Sequence, residues 1–153
     1  MTTGILRAAL LALGVLATAG CAGIFPYKQG DAPENVTFTP RLGEGSVRMD
    51  VYDIDPGCNE KYRGSVQPGS QPVKVGMPVD QQRYLVLVFQ GGSLFGGSHA
   101  TSTGIYFKPL SGVTYNIKAS YVDSMYDVKV LEHSHGAWRE MPEITPRACK
   151  RGK

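Results

Sequence analysis

Charge is scarce in this chain, and none of it is concentrated. Only 19% of the 153 residues are charged, and 16 basic against 13 acidic residues leave a formal net charge of +3. The basic residues are scattered except for Arg147, Lys150, Arg151 and Lys153, a cluster of the size of a solvated tail, so no nucleic-acid partner is expected. The 19 Gly and 10 Pro show no three-residue period, which excludes a collagen-like chain. A hydrophobic fraction of 42% with so little net charge excludes a disordered one. Beyond the first 25 residues no helical period is sustained, no internal repeat is visible, and no Gly-rich segment ends in Gly-Lys-Ser/Thr, so a P-loop is absent. The length suits one domain and excludes a multi-pass membrane protein.

What the chain does have begins at its amino terminus. Residues 8–25 carry no charge and follow Arg7, with Leu10, Leu11, Leu13, Val15 and Leu16 ahead of the small residues Thr18, Ala19 and Gly20. That order matches a secretory signal peptide. An uncleaved anchor is the alternative, but the Ala, Gly and Thr of the second half would make a weak span. Thr18-Ala19-Gly20-Cys21 resembles the lipobox of bacterial lipoproteins, although an aliphatic residue is commoner at the place of Thr18. The resemblance implies removal of residues 1–20 and lipidation of Cys21. Ala22 in place of Asp then implies the outer membrane, facing the periplasm, with the inner membrane as alternative. Acyl chains would supply the membrane attachment at about 0.8 kcal/mol per buried methylene.

With Cys21 lipidated, Cys58 and Cys149 remain, and an even number in an oxidising compartment points to a disulfide. It would close a loop of about 91 residues, which the chain-entropy model values at about 4 to 5 kcal/mol. The alternative is a reactive or metal-bound Cys58.

Residues 21–45 are rich in Gly and Pro and read as a lipidated cysteine with a flexible tether, reaching about 25 Å, with a short edge strand at Val36 and Phe38. Period-two alternation then starts at Ser46 with Val47, Met49 and Val51. Val73 and Val75 lie between Pro72 and Pro78, as on an edge strand. Tyr84 to Phe89 is continuously apolar, as in a central strand buried on both faces. Residues 91–104 form a Gly/Ser/Thr loop, and strand character resumes at Ile105. Val113, Tyr115, Ile117, Ala119 and Tyr121 alternate with polar residues, and a hairpin around Asp123 leads to Tyr126, Val128 and Val130, with Tyr121 and Tyr126 facing each other. A last strand covers Ala137 to Met141, followed by a Pro-containing basic tail, residues 142–153.

About seven short strands predict an all-β protein, an antiparallel β-sandwich over residues 46–141, with a small barrel as alternative. The segment SGVTYNIKASYVDSMYDVKVLE, with Gly112 and Tyr115 placed before the last hairpin, resembles small bacterial lipoproteins with transthyretin-like or PEGA-like sandwiches. That resemblance implies a sandwich of transthyretin-like or immunoglobulin-like kind and says little about function.

Candidate chemistry is thin. His133, His135 and His99 are the only imidazoles; no carboxylate with recognisable spacing completes a metal site, so turn histidines are expected and no metal or other cofactor. Gly96-Gly97-Ser98-His99-Ala100 has a passing likeness to a nucleophile elbow but lacks the helix that aims the serine. Leu94 and Phe95, between Gly pairs, form either a lid over the core or a partner-contacting tip. The Ser111-Gly112-Val113-Thr114-Tyr115 segment is similar to the Ser-Gly-x-x-Tyr motif of lipoprotein inhibitors of lysozyme, which makes Ser111 and Tyr115 candidate contacts. The eight tyrosines are expected in the core or in cross-strand pairs, with some available to line a sugar- or peptide-binding face. The expected function is that of a non-catalytic, lipid-anchored binding or accessory protein of the cell envelope with a protein or glycan partner. A periplasmic inhibitor or immunity protein is the alternative.

Overall fold

The computed structural model describes residues 24–93, 97–123 and 125–142. Every regular element among them is a strand: β1 Val36–Leu42, β2 Ser46–Ile54, β3 Glu60–Val66, β4 Val73–Val75, β5 Arg83–Ser93, β6 Gly97–Phe107, β7 Thr114–Val122, β8 Met125–Ser134 and β9 Ala137–Glu140. They form a β-sandwich of two sheets, ordered β3-β2-β5-β6 and β4-β1-β7-β8-β9, not a closed barrel.

The alternating positions of β2 and β7 bury as their period dictates. Val47, Met49 and Val51 face Tyr115, Ile117, Ala119 and Tyr121 across the core, all at most 2% exposed. The Tyr121–Tyr126 pair is in register across the β7–β8 hairpin. β4 is an edge strand, as its flanking prolines indicate.

Several expectations change. The sheets are not wholly antiparallel, because β1 runs parallel to β7 from Val36 beside Tyr115 to Leu42 beside Tyr121. β1 can do so because Gly43-Glu44-Gly45 carries the chain from one sheet to the other. Residues 24–45 are therefore not a tether, and β1 is not an edge. It lies between β4 and β7 with Val36 and Phe38 buried. The preceding residues are strapped to the domain. Asn35 donates to the Met77 carbonyl at 2.8 Å and accepts from its N–H at 2.9 Å. The Tyr27 N–H donates to the Ser65 carbonyl, and the Gln29 side chain accepts from Gly76. The domain thus begins about twenty residues before the alternation at Ser46 announces it.

β5 buries one face only, through Leu85, Leu87 and Phe89, while Tyr84, Val86 and Val88 are half-buried on the outside, where no third layer covers the sheet among the described residues. Residues 91–104 are not a loop: 91–93 end β5 and 97–104 belong to β6, paired from Arg83 opposite Phe107 to Ser93 opposite Gly97. β3 has no counterpart among the expected strands. It is polar at its start, bulged between Val51 and Tyr52 of its partner, and depends on a close approach. A Cβ at Gly64, whose φ is 128°, would lie 2.6 Å from the Tyr27 Cα. Residues 143–153, including Cys149, lie outside the described residues, as does Cys21.

A candidate binding face on the outer sheet

Four strands with a shared register bring four tyrosines into one row. Tyr62 on β3 opposes Tyr52 on β2, Tyr52 opposes Tyr84 on β5, and Tyr84 opposes Tyr106 on β6. Because paired residues point to the same side of a sheet, all four rings stand on the outer face of β3-β2-β5-β6. Centroid separations are 5.3, 6.1 and 4.7 Å, with interplanar angles of 56°, 46° and 32°. The row crosses the whole sheet, about 15 Å at ordinary strand spacing. Tyr62 is 38% exposed and the other three are half-buried.

A polar network fixes the Tyr62 end. Arg48 makes a two-point contact with Asp50, Nε to Oδ1 at 2.8 Å and a terminal nitrogen to Oδ2 at 3.0 Å. Ser65 donates its hydroxyl hydrogen to Asp50, so the 2.7 Å contact between the Ser65 and Tyr62 hydroxyls has Tyr62 as donor. Asp50 is only 7% exposed, and its charge is neutralised by Arg48, whose guanidinium pKa is raised by that bond. At the other end Gly104 makes room for Tyr84, since a Cβ there would sit 2.2 Å from the phenol oxygen. The result is a strip of mutually tilted aromatic rings with hydroxyl edges, and the Glu60 carboxylate lies close enough to add to the raised pKa of both Tyr52 and Tyr84.

Burial also sets the ionisation of these rings. Tyr52 is raised above the ordinary tyrosine value by burial first and by the Asp50 carboxylate second. Tyr84 is raised by burial and then by Tyr106. Tyr27 and Tyr115 are raised chiefly by burial, against lowering by Arg83 and by the Leu110 N–H respectively. Protonated phenols favoured in the folded state give a contribution to stability that is complete below about pH 10. It is lost as pH rises through the higher folded values. Phenolate absorbance should therefore lag in the native protein behind the denatured chain for four of the eight tyrosines, and superimposable curves would contradict the arrangement.

The other candidate residues are dispersed. Tyr115 is 1% exposed, its ring edge-on to Phe107 and its hydroxyl accepting from the Leu110 N–H at 3.0 Å, so it is a core residue and not a partner contact. Ser111 is exposed in the turn before β7. Leu94 and Phe95 lie outside the described residues. His99 bonds to the Tyr121 hydroxyl, whereas His133 packs at a tilt of 42° against the exposed Trp138, 4.9 Å between centroids. Tyr121 and the Thr114 partner of His133 lie seven residues apart on β7, so the two histidines are separated by roughly 20 Å. Among the described residues no three His, Cys, Asp or Glu are grouped as a metal site requires. Ser98 sits in strand β6, where no helix aims it.

Cys58 is half-buried in the β2–β3 turn and engaged, not free. Its N–H donates to the Asp55 carbonyl, and the Asp55 carboxylate, held below its usual pKa by bonds from Asn59, closes the turn.

The concavities offer less than the tyrosine face. A cleft of about 720 Å³ between β6 and β8 is lined by Ile105, Phe107, Val128, Val130 and Met141. Another of about 790 Å³, at the Asp53 end of β2, gathers Asp53, Asp55, Lys61, Asp80, Arg83 and Lys108, charges of both signs. There Arg83, only 5% exposed, is paired with Asp53 and donates to Gln81 at 2.8 Å. No protein-family model matches the chain, and neither a curated protein nor a solved structure matches it.

Proposed function

We propose that the chain is a lipid-anchored, non-catalytic binding protein of the cell envelope, held by Cys21 at the periplasmic side of the outer membrane, and that its outer sheet binds a glycan strand. The observation that carries the reading is the in-register row of Tyr62, Tyr52, Tyr84 and Tyr106. A pyranose ring has apolar C–H faces and hydroxyl edges. It packs its faces on aromatic rings while phenol and serine hydroxyls meet its rim. The Glu60 carboxylate beside the row repels a polyanion, which favours a sugar polymer.

Support for anchoring comes from the lipobox-like Thr18-Ala19-Gly20-Cys21. Since the domain is already strapped down at Tyr27, a lipid at Cys21 would keep it against the membrane surface and not at the end of a long tether. A Cys58–Cys149 disulfide belongs to the same proposal, resting on cysteine parity in an oxidising compartment.

One fractionation tests both parts. Wild-type protein should travel with membranes, and Cys21→Ser should move it to the soluble periplasm. The soluble form should co-sediment with purified peptidoglycan sacculi, with Tyr62→Ala weakening retention about tenfold, the equivalent of roughly 1.4 kcal/mol. Retention equal in wild type and Tyr62→Ala, or no retention, would remove the glycan reading.

A further inference from the structure

Each outer strand of a sandwich presents unpaired backbone N–H and C=O groups that can recruit another strand. Three of the four edges here are blunted. β3 carries Glu60, Lys61 and Arg63, is bulged, and has its Ser65 backbone occupied by Phe25 and Tyr27. β4 is three residues long, contains Lys74 and lies between two prolines. β9 is four residues long and carries Arg139 and Glu140.

β6 has none of these devices. It is eleven residues long, contains no Lys, Arg, Asp, Glu or Pro, and among the described residues it pairs on one side only, with β5. Residues 97–103 are exposed at all positions but Thr101 and Thr103, whereas Ile105 and Phe107 line the cleft together with Glu140 and Met141.

We infer that residues 97–103 pair antiparallel with the same residues of a second copy. An uncharged strand offers nothing that selects a charged partner and nothing that repels itself. Antiparallel pairing of a strand with its own copy generates a twofold axis, so each donor and acceptor on one chain meets its counterpart on the other. With that axis perpendicular to the sheet and centred near Ala100, β9 of each copy lies beyond the paired segment. The two outer faces then point the same way, placing both tyrosine rows on one continuous sheet. The interface is small and of the transient class, so the dimer is concentration-dependent.

The test is sedimentation velocity and amide hydrogen exchange on the wild-type soluble chain from about 5 to about 500 µM. The expected result is a rising dimer fraction, with alternate amides of residues 97–103 exchanging at least about tenfold more slowly at the upper concentration. Ser98→Lys with Ser102→Lys, both at exposed outward positions, should abolish the dimer and that protection. The inference is overturned by a monomer throughout, by a dimer whose β6 amides stay unprotected, or by β6 protection that does not vary with concentration. The wild-type series decides even if the double variant does not fold.

Discussion

Phe38→Ala should destabilise the protein by about 3–5 kcal/mol, the range for deleting a large aromatic from a closed core. Thermal denaturation should then begin on the order of 10–20 °C lower, whereas Thr37→Ala next to it should change stability by less than about 0.5 kcal/mol. Phe38 is fully buried, with Val73 of β4 on one side and Ile117 of β7 on the other. Its loss removes atoms from the middle of a sheet that no neighbour can fill, because β7 is held by β8 and the chain just after β4 is held at Gly76 and Met77 by Gln29 and Asn35. For a domain whose total stability is about 5–15 kcal/mol, that is a large share. The functional consequence concerns distance. If the segment before Ser46 were a tether, Phe38 would be dispensable and the binding face free to sweep a wide volume. A melting point unchanged by Phe38→Ala would restore that picture.

The sequence disclosed the strands whose two faces meet different solvents. β2 and β7 each bury one face and leave the other toward water, so their period is visible and their core residues follow from it. Strands defined by their neighbours instead of their own contrast were not legible. β3 has Glu60, Lys61 and Arg63 where a periodic strand would alternate, and it exists because β2 pairs on one side and Phe25 and Tyr27 cover Ser65 on the other. β6 begins with Gly, Ser, His and Ala, which give no strand signal at an exposed edge, and it is templated by β5. The tyrosine row was hidden for the same reason. Tyr52 is a polar-side position of a visible strand, but Tyr62 and much of the approach to Tyr106 belong to β3 and β6, and a cross-strand row needs all four registers. Tyr115 shows the converse: a short motif suggested a contact, and the β7 period that places it inward was the more physical signal.

Gly104→Val should reduce binding to sacculi by about a hundredfold, roughly 2.7 kcal/mol, with the fold retained. A Cβ at this position meets the far end of the Tyr84 ring, not backbone, at 2.2 Å from the phenol oxygen and 2.5 Å from Cε2. The ring can rotate away without disturbing β5, and a β-branched residue suits an extended strand, so near-ultraviolet circular dichroism should alter in its tyrosine bands while the melting transition stays cooperative. Tyr84 is the link between Tyr52 and Tyr106, and displacing it cuts the row into a pair and a single ring. Tyr84→Ala should lose binding to the same extent, and combining it with Gly104→Val should add little, because both act on one ring. The pair of variants separates two roles for the tyrosines. If the rings only stabilise the sheet by cross-strand contact, Tyr84→Ala lowers the melting temperature and Gly104→Val leaves binding intact. If they form the surface on which a glycan lies, binding falls in both variants whatever the change in stability, and the loss tracks the position of the Tyr84 ring.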